Sequence, residues 1–162
     1  MLIDAHSILH RAYHALPQFS NSRGEPTGAL YGLSAMLIKI MGNLKPDYLA
    51  AAYDLPKPTF RHEAYKDYKA GRAKADDALI SQMKRSREIF EVFNIPIYDK
   101  EGFEADDIIG TIVQKIQDSR LRPGASDGQA RFKIQDSEID IVIASGDMDT
   151  LQLVDDKRVQ VF

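Results

Sequence analysis

Apolar residues along the chain fall into short runs of three to six, separated by longer stretches in which they recur every three or four positions. The short runs are Met1-Leu2-Ile3, residues 48–53, Ile95 to Tyr98, residues 139–144 and Val159 to Phe162. Each reads as a strand, and Pro96 argues against a central, fully paired place for the third. Between Gly28 and Gly42, Leu30, Leu33, Leu37, Ile40 and Met41 form a stripe of period near 3.6, which predicts a helix. A second helix is predicted from an N-cap at Asp76 to about Asn94, with Leu79, Ile80, Met83, Ile89, Phe90, Val92 and Phe93 as apolar positions. A third begins near Glu104 and buries Ile108, Ile109, Ile112, Val113 and Ile116. Strands alternating with helices predict one α/β domain over residues 1–162, a mostly parallel central sheet flanked by helices. Residues 118–138, with Pro123, Gly124, Gly128 and mixed charges, are long for a helix-to-strand connection and are expected to form a surface insertion.

Three of the strand candidates are followed closely by an acid: Asp4, Asp54 and Asp147. In a parallel sheet all three emerge at the carboxyl edge, where open α/β folds place their sites. Glu104, Asp106 and Asp107 open the third helix, and Asp149 stands two residues past Asp147. Helix capping accounts for one or two acids in a first turn, but three in four positions exceed that role. Seven carboxylates at one edge repel each other unless cations compensate, and the simplest compensator is a pair of hard divalent ions, Mg²⁺ or Mn²⁺. Two plainer readings stand beside this one. Ser145 to Asp149 also suits an ordinary turn, or the paired aspartates of an aspartyl-phosphate enzyme, although Leu151 occupies the place where that pattern wants Thr or Val.

Composition narrows the classes. The chain lacks cysteine, which excludes a disulfide framework and thiolate chemistry, and its four histidines are not spaced as zinc ligands. No apolar stretch approaches the roughly 20 residues that span a bilayer, and Asp4 and His6 interrupt any signal-like start, so a cytoplasmic setting is expected. Net charge is only −3, yet Lys57, Arg61, Lys66, Lys69, Arg72 and Lys74 face only Glu63 and Asp67 within one segment. On a helix Arg61, Tyr65, Tyr68, Lys69 and Arg72 share a face. That is either a solvated charged surface or an aromatic-basic one suited to single-stranded nucleic acid. A basic segment beside an acidic cluster suggests a polyanion held by the first and cut at the second.

Several motifs in order resemble one family. Leu2-Ile-Asp4 with Arg11-Ala-Tyr-His-Ala-Leu16 is similar to the opening of the 5′-nuclease domain of bacterial DNA polymerase I. Ser22 to Pro26, Tyr53-Asp54, Phe60 to Tyr65, Tyr68 to Arg72, Gly102 to Asp107 and Gly146 to Asp149 follow in the same order. Ala5 and His10 stand where that family usually carries glycine and an aromatic residue.

The resemblance implies a PIN-like, resolvase-like 5′-nuclease fold and a structure-selective, metal-dependent 5′-to-3′ nuclease. It would hydrolyse DNA at flaps or 5′ ends with two ions in the complete domain. By position it implies that Asp4, Asp54, Glu104, Asp106, Asp107, Asp147 and Asp149 bind metal. Residues 57–75 would be a helical arch in which Arg61, Tyr65, Lys66, Tyr68, Lys69 and Arg72 meet DNA, with Arg11 near the scissile phosphate. Asp4, Arg11, Asp54, Arg61 and Lys69 would be the catalytic group. Family members continue past the position of Phe162 into a duplex-gripping, helix-turn-helix-like part with further acidic ligands, and a polymerase domain is expected after it. The alternatives are a non-catalytic nucleic-acid-binding fragment and an RNA-cutting PIN nuclease.

Overall fold

The computed structural model describes residues 1–65, 67–71, 75–121, 139–155 and 158–162. The expectations for Lys66, Arg72 and most of the 118–138 insertion lie outside them. Positions 118–121 belong instead to a helix, α5 (Ala105–Leu121), so the connection begins later than its composition suggests.

Among the described residues, five strands form one all-parallel sheet: β1 (Leu2–Asp4), β2 (Ala50–Ala52), β3 (Ile97–Tyr98), β4 (Ile141–Ala144) and β5 (Val159–Val161). Their order is β3-β2-β1-β4-β5, with β1 central and the Pro96-preceded β3 at an edge, as expected. The register sets Leu2 opposite Ala50 and Ile143, and Asp4 opposite Ala52. Successive strand residues point to opposite faces, and the core divides accordingly. Ile3, Ala51 and Ala144 pack with helices α1 (Ala5–Ala15), α2 (Gly28–Leu44) and α4 (Asp77–Val92). Leu2, Ala52 and Ile143 pack with Ala105, Ile109 and Val113 of α5. The result is three layers, with both faces of the sheet covered.

Helix α1 was not among the predicted elements. Its core positions, Ala5, Ile8, Leu9 and Ala12, follow helical spacing, but His6, Ser7, His10 and Arg11 between them mask the stripe. It packs tightly on α2. A Cβ at Gly32 lies 2.7 Å from the Ala12 Cβ and 2.8 Å from the Leu16 Cδ1. Gly32→Ala is therefore expected to destabilise the fold, because overpacking costs about 1–3 kcal/mol and the better helix former returns only about 1 kcal/mol. A lower urea midpoint checks this.

Buried Gln82 of α4 closes the start of α2. Its Oε1 accepts from the Ala29 N–H at 2.8 Å and the Leu30 N–H at 3.3 Å, while its Nε2 donates to the Ala78 carbonyl at 3.1 Å. Orphan N–H groups at a helix start need such partners, and here the partner comes from 53 residues away. Asp76 caps α4 as predicted, accepting from the Leu79 N–H at 2.7 Å. Val92 departs from its predicted core role and is 84% exposed.

Candidate active site

Asp4 is both the last residue of β1 and the N-cap of α1, because the strand passes into the helix with no intervening loop. Its Oδ1 accepts from the Ser7 N–H at 3.0 Å and its Oδ2 from the Ser145 hydroxyl at 2.9 Å. Ser145 follows β4 directly, and its Oγ accepts in turn from the Asp147 N–H at 3.0 Å. The Gly146 N–H donates to the Ser7 Oγ at 2.7 Å. Two serines thus fasten the turn after β4 onto the first turn of α1, and they fix Asp147 relative to Asp4. A Cβ on Gly146 meets the Ser7 Oγ at 3.1 Å, so glycine suits the close approach. The same turn runs beside the Arg11 side chain, whose Cδ lies 3.7 Å from that Cβ position. Asp147 is not in a plain turn. It caps a 3-10 helix, Met148–Leu153, accepting from the Asp149 N–H at 3.0 Å, and both acids are exposed.

Asp54 lies two residues past β2. Its Oδ1 accepts from the N–H of Ala105, the first residue of α5, at 2.7 Å, and its Oδ2 lies 3.2 Å from the His6 Nδ1. His6, which is not among the site residues expected from sequence, therefore belongs to the site. Its spacing from Asp54 gave no signal, because the contact depends on the β1–β2 pairing.

Burial pushes the Asp4 carboxyl above the usual carboxylate range, and outweighs its two hydrogen bonds. Burial also pushes Asp106 up, reinforced by the neighbouring Asp107 and Glu104 carboxylates. Asp54 goes the other way: burial raises it, but the bonds from His6 and Ala105 together win and hold it low. Asp107 is held low by Arg61.

The third helix start is compensated by the basic segment. Arg61 of helix α3 (Phe60–Ala64) makes a two-pronged pair with Asp107, Nη1 to Oδ2 and Nη2 to Oδ1, each at 2.7 Å. Its Nη1 is also 3.9 Å from the Glu104 Oε2. Lys69 Nζ lies 2.9 Å from the Glu104 Oε1, and the Tyr68 hydroxyl donates to Oε2 at 3.1 Å. The expected arch is not one continuous helix. It leaves helical geometry at Tyr65 (φ −134°, ψ 107°) and turns at 67–71, with Lys69 at φ 57°. That break lets Tyr68 and Lys69 reach Glu104, while Tyr65 stays 74% exposed instead of sharing their face.

The donor set is all oxygen and its charge is under-compensated at Asp4 and Asp106, which fits a hard divalent ion. The placement fits less well. Among the described residues no three Asp, Glu or His side chains converge as a ready metal site. At Glu104 and Asp107 the compensating charge in this structure comes from side chains. Arg61 and Lys69 take that part, because a guanidinium matches both oxygens of a carboxylate at once.

A sequence profile of the 5′-3′ exonuclease N-terminal, resolvase-like domain matches residues 1–123. DNA polymerase I of Caldicellulosiruptor bescii is 40% identical over 155 residues, covering 96% of this chain and 16% of that protein. The polymerase I of Bacillus subtilis is 37% identical over 157 residues, covering 97% and 16%. The chain thus spans about a sixth of these relatives. A T5 D15 protein co-crystallised with metal ions superposes with a TM-score of 0.67 at 22% identity, over all of this chain and 54% of its own. A bacteriophage T5 flap endonuclease in a pseudo-enzyme-product complex with DNA and metal ions gives 0.63 at 20% identity, over 53% of its chain. Both likenesses show the fold. With the profile covering most of its length, the chain belongs to the family of 5′-3′ exonuclease N-terminal, resolvase-like domains.

Proposed function

We propose that this domain is the acid-bearing part of a divalent-metal-dependent 5′ nuclease that cuts DNA at flaps or 5′ ends. The observation that carries the reading is the convergence of Asp4, Asp54, Asp147 and the first turn of α5 on one sheet edge, with Arg61, Tyr68 and Lys69 of the basic segment directly against it. Relatives named DNA polymerase I and a T5 flap endonuclease solved with DNA and metal ions support it.

Asp4, Glu104, Asp106, Asp107 and Asp147 would hold Mg²⁺ or Mn²⁺, with Asp54 and Asp149 beside them. Such an ion supplies a hydroxide-like water at neutral pH and screens the phosphate charge. The remaining work falls to the chain's own residues. Arg61, Lys69 and Arg11 would offer positive charge to the phosphodiester, and guanidinium groups grip phosphate oxygens in pairs. Tyr68, and Tyr65 on the exposed side, offer faces on which unpaired bases stack. The two serines keep Asp4 and Asp147 in register, so that a substrate meets preset acids.

Incubation with a labelled 5′-flap duplex, with and without Mn²⁺, tests this. Cleavage is expected only with the ion, and Asp147→Asn should reduce it by about 100-fold or more, since even groups one step removed from a metal cost 10–100-fold. Flap binding without cleavage at any ion concentration would favour a binding-only role instead. That second reading has one observation on its side, the lack of a ready ion site among the described residues.

A further inference from the structure

On the proposed function the acids at the start of α5 serve an ion and the bases of the arch serve DNA, yet here they hold each other. We infer that Arg61 and Lys69 are an internal substitute for the divalent ion, a latch that must open before the site can load. The inference rests on the metal-dependent reading above and assigns that site a built-in competitor.

All four carboxylate oxygens of Glu104 and Asp107 meet the arch. Asp107 gives Oδ1 and Oδ2 to Arg61 at 2.7 Å each. Glu104 gives Oε1 to Lys69 at 2.9 Å, and Oε2 to Tyr68 at 3.1 Å. Asp107 Oδ2 also accepts from the Glu104 N–H at 3.0 Å, which adds a bond within the turn. The hydrogen-bond partners of Asp4, Asp54 and Asp147 are Ser7, Ser145, Ala105, His6 and Asp149, and the Lys69 charge also acts on Asp54. The latch therefore closes on the Glu104 and Asp107 wall of the site, while Ser7 and Ser145 hold Asp4 and Asp147.

The root of the arch is held separately from these ion pairs. The Phe60 N–H donates to the Gly102 carbonyl at 3.1 Å, and the Phe60 and Phe103 rings lie 5.8 Å apart. Side chains can let go while the root stays docked beside Glu104. A guanidinium and an ion compete for the same lone pairs, so an ion engaging Glu104 or Asp107 releases Arg61 or Lys69 toward solvent, where phosphate can meet it. By linkage, whatever factor the ion contributes to DNA binding, DNA contributes to ion binding. A protein without metal would then hold both functions closed.

A purely structural pair predicts the opposite sign. Without Arg61 and Lys69 the acids would repel, the wall would loosen and ion affinity would fall. A competitor predicts that it rises. Mn²⁺ titration of the DNA-free protein, read by the electron paramagnetic signal of unbound Mn²⁺, separates the two. Arg61→Gln with Lys69→Gln is expected to bind Mn²⁺ about tenfold more tightly than the parent, within the usual span of coupling between sites. Lys69→Gln alone sits on a turn and spares α3, so it serves if the double variant misfolds, with a smaller gain in the same direction. Equal or weaker binding by the folded variants overturns the latch and leaves the metal reading standing. No binding by parent or variants overturns the metal reading, and the latch with it. Binding by the variants alone supports both.

Discussion

Asp4→Asn is expected to raise the melting temperature of the ion-free protein while cutting cleavage by about 100-fold or more. The folded protein holds this carboxyl above its ordinary range, chiefly by burying it. A group raised in the folded state favours folding when protonated, so its penalty is present at neutral pH. Stability is recovered as pH falls through the folded value toward the unfolded one. Asparagine reproduces the neutral form at every pH. Its amide oxygen still accepts from the Ser7 N–H to cap α1, and its NH₂ can donate to the Ser145 Oγ, so the bonding pattern at 3.0 and 2.9 Å survives. Stabilising changes at strained functional positions commonly add about 0.5–2 kcal/mol at the expense of activity. Asp54 makes the control, because its carboxyl is held low by His6 and the Ala105 N–H despite burial. Its contribution is present above the unfolded value and is lost as pH falls through the folded one, so Asp54→Asn should lower stability at pH 7. Parallel melts at pH 7 without ions decide the matter. A lower melting temperature for Asp4→Asn would show that the ionised acid is stabilising where it stands.

The contrast between those two acids marks how far sequence reading reaches. That Asp4, Asp54 and Asp147 gather at one edge was legible, because strand direction and period follow from short apolar runs. The sheet order brings β2 and β4 to either side of β1. The edge place of β3 was legible from Pro96, and the start of α4 from Asp76. What sequence did not carry were pairings decided by tertiary approach. His6 on Asp54 spans 48 positions, Gln82 on α2 spans 53, and Ser145 on Asp4 spans 141. No local pattern encodes such distances. The helical face expected in the arch departs for a different reason. Its bases do lie next to the acids, but the helical face drawn through Arg61, Tyr65 and Lys69 assumed a continuous helix, which breaks at Tyr65. Aromatic and basic composition names a segment's partners better than its geometry, because few aliphatic residues are present to fix a packed face.

Phe90→Ala is expected to cost about 3–5 kcal/mol, the range for deleting a buried aromatic ring, from a domain whose total stability is on the order of 5–15 kcal/mol. Phe90 is 0% exposed and meets the Tyr53 ring edge-on at 5.6 Å. Tyr53 is itself buried, with its hydroxyl 2.8 Å from the Ser86 Oγ, and the Arg87 guanidinium lies 4.5 Å above its ring. Burial pushes the Tyr53 hydroxyl up to about 12, so it stays protonated through the physiological range. Tyr53 directly precedes Asp54 and also lies edge-on to His6 at 5.2 Å. A cavity behind Tyr53 therefore loosens the seat of both groups that face each other across the site. Phe90→Leu keeps most of the volume and should cost under about 1.5 kcal/mol, as volume-conserving swaps do. Guanidinium midpoints for the three proteins measure the ladder. Mn²⁺ titration of the Leu variant then asks whether Asp54 has moved. Unchanged ion affinity with reduced stability would confine Phe90 to the core, whereas reduced affinity would show that the packing behind β2 sets the acid in place.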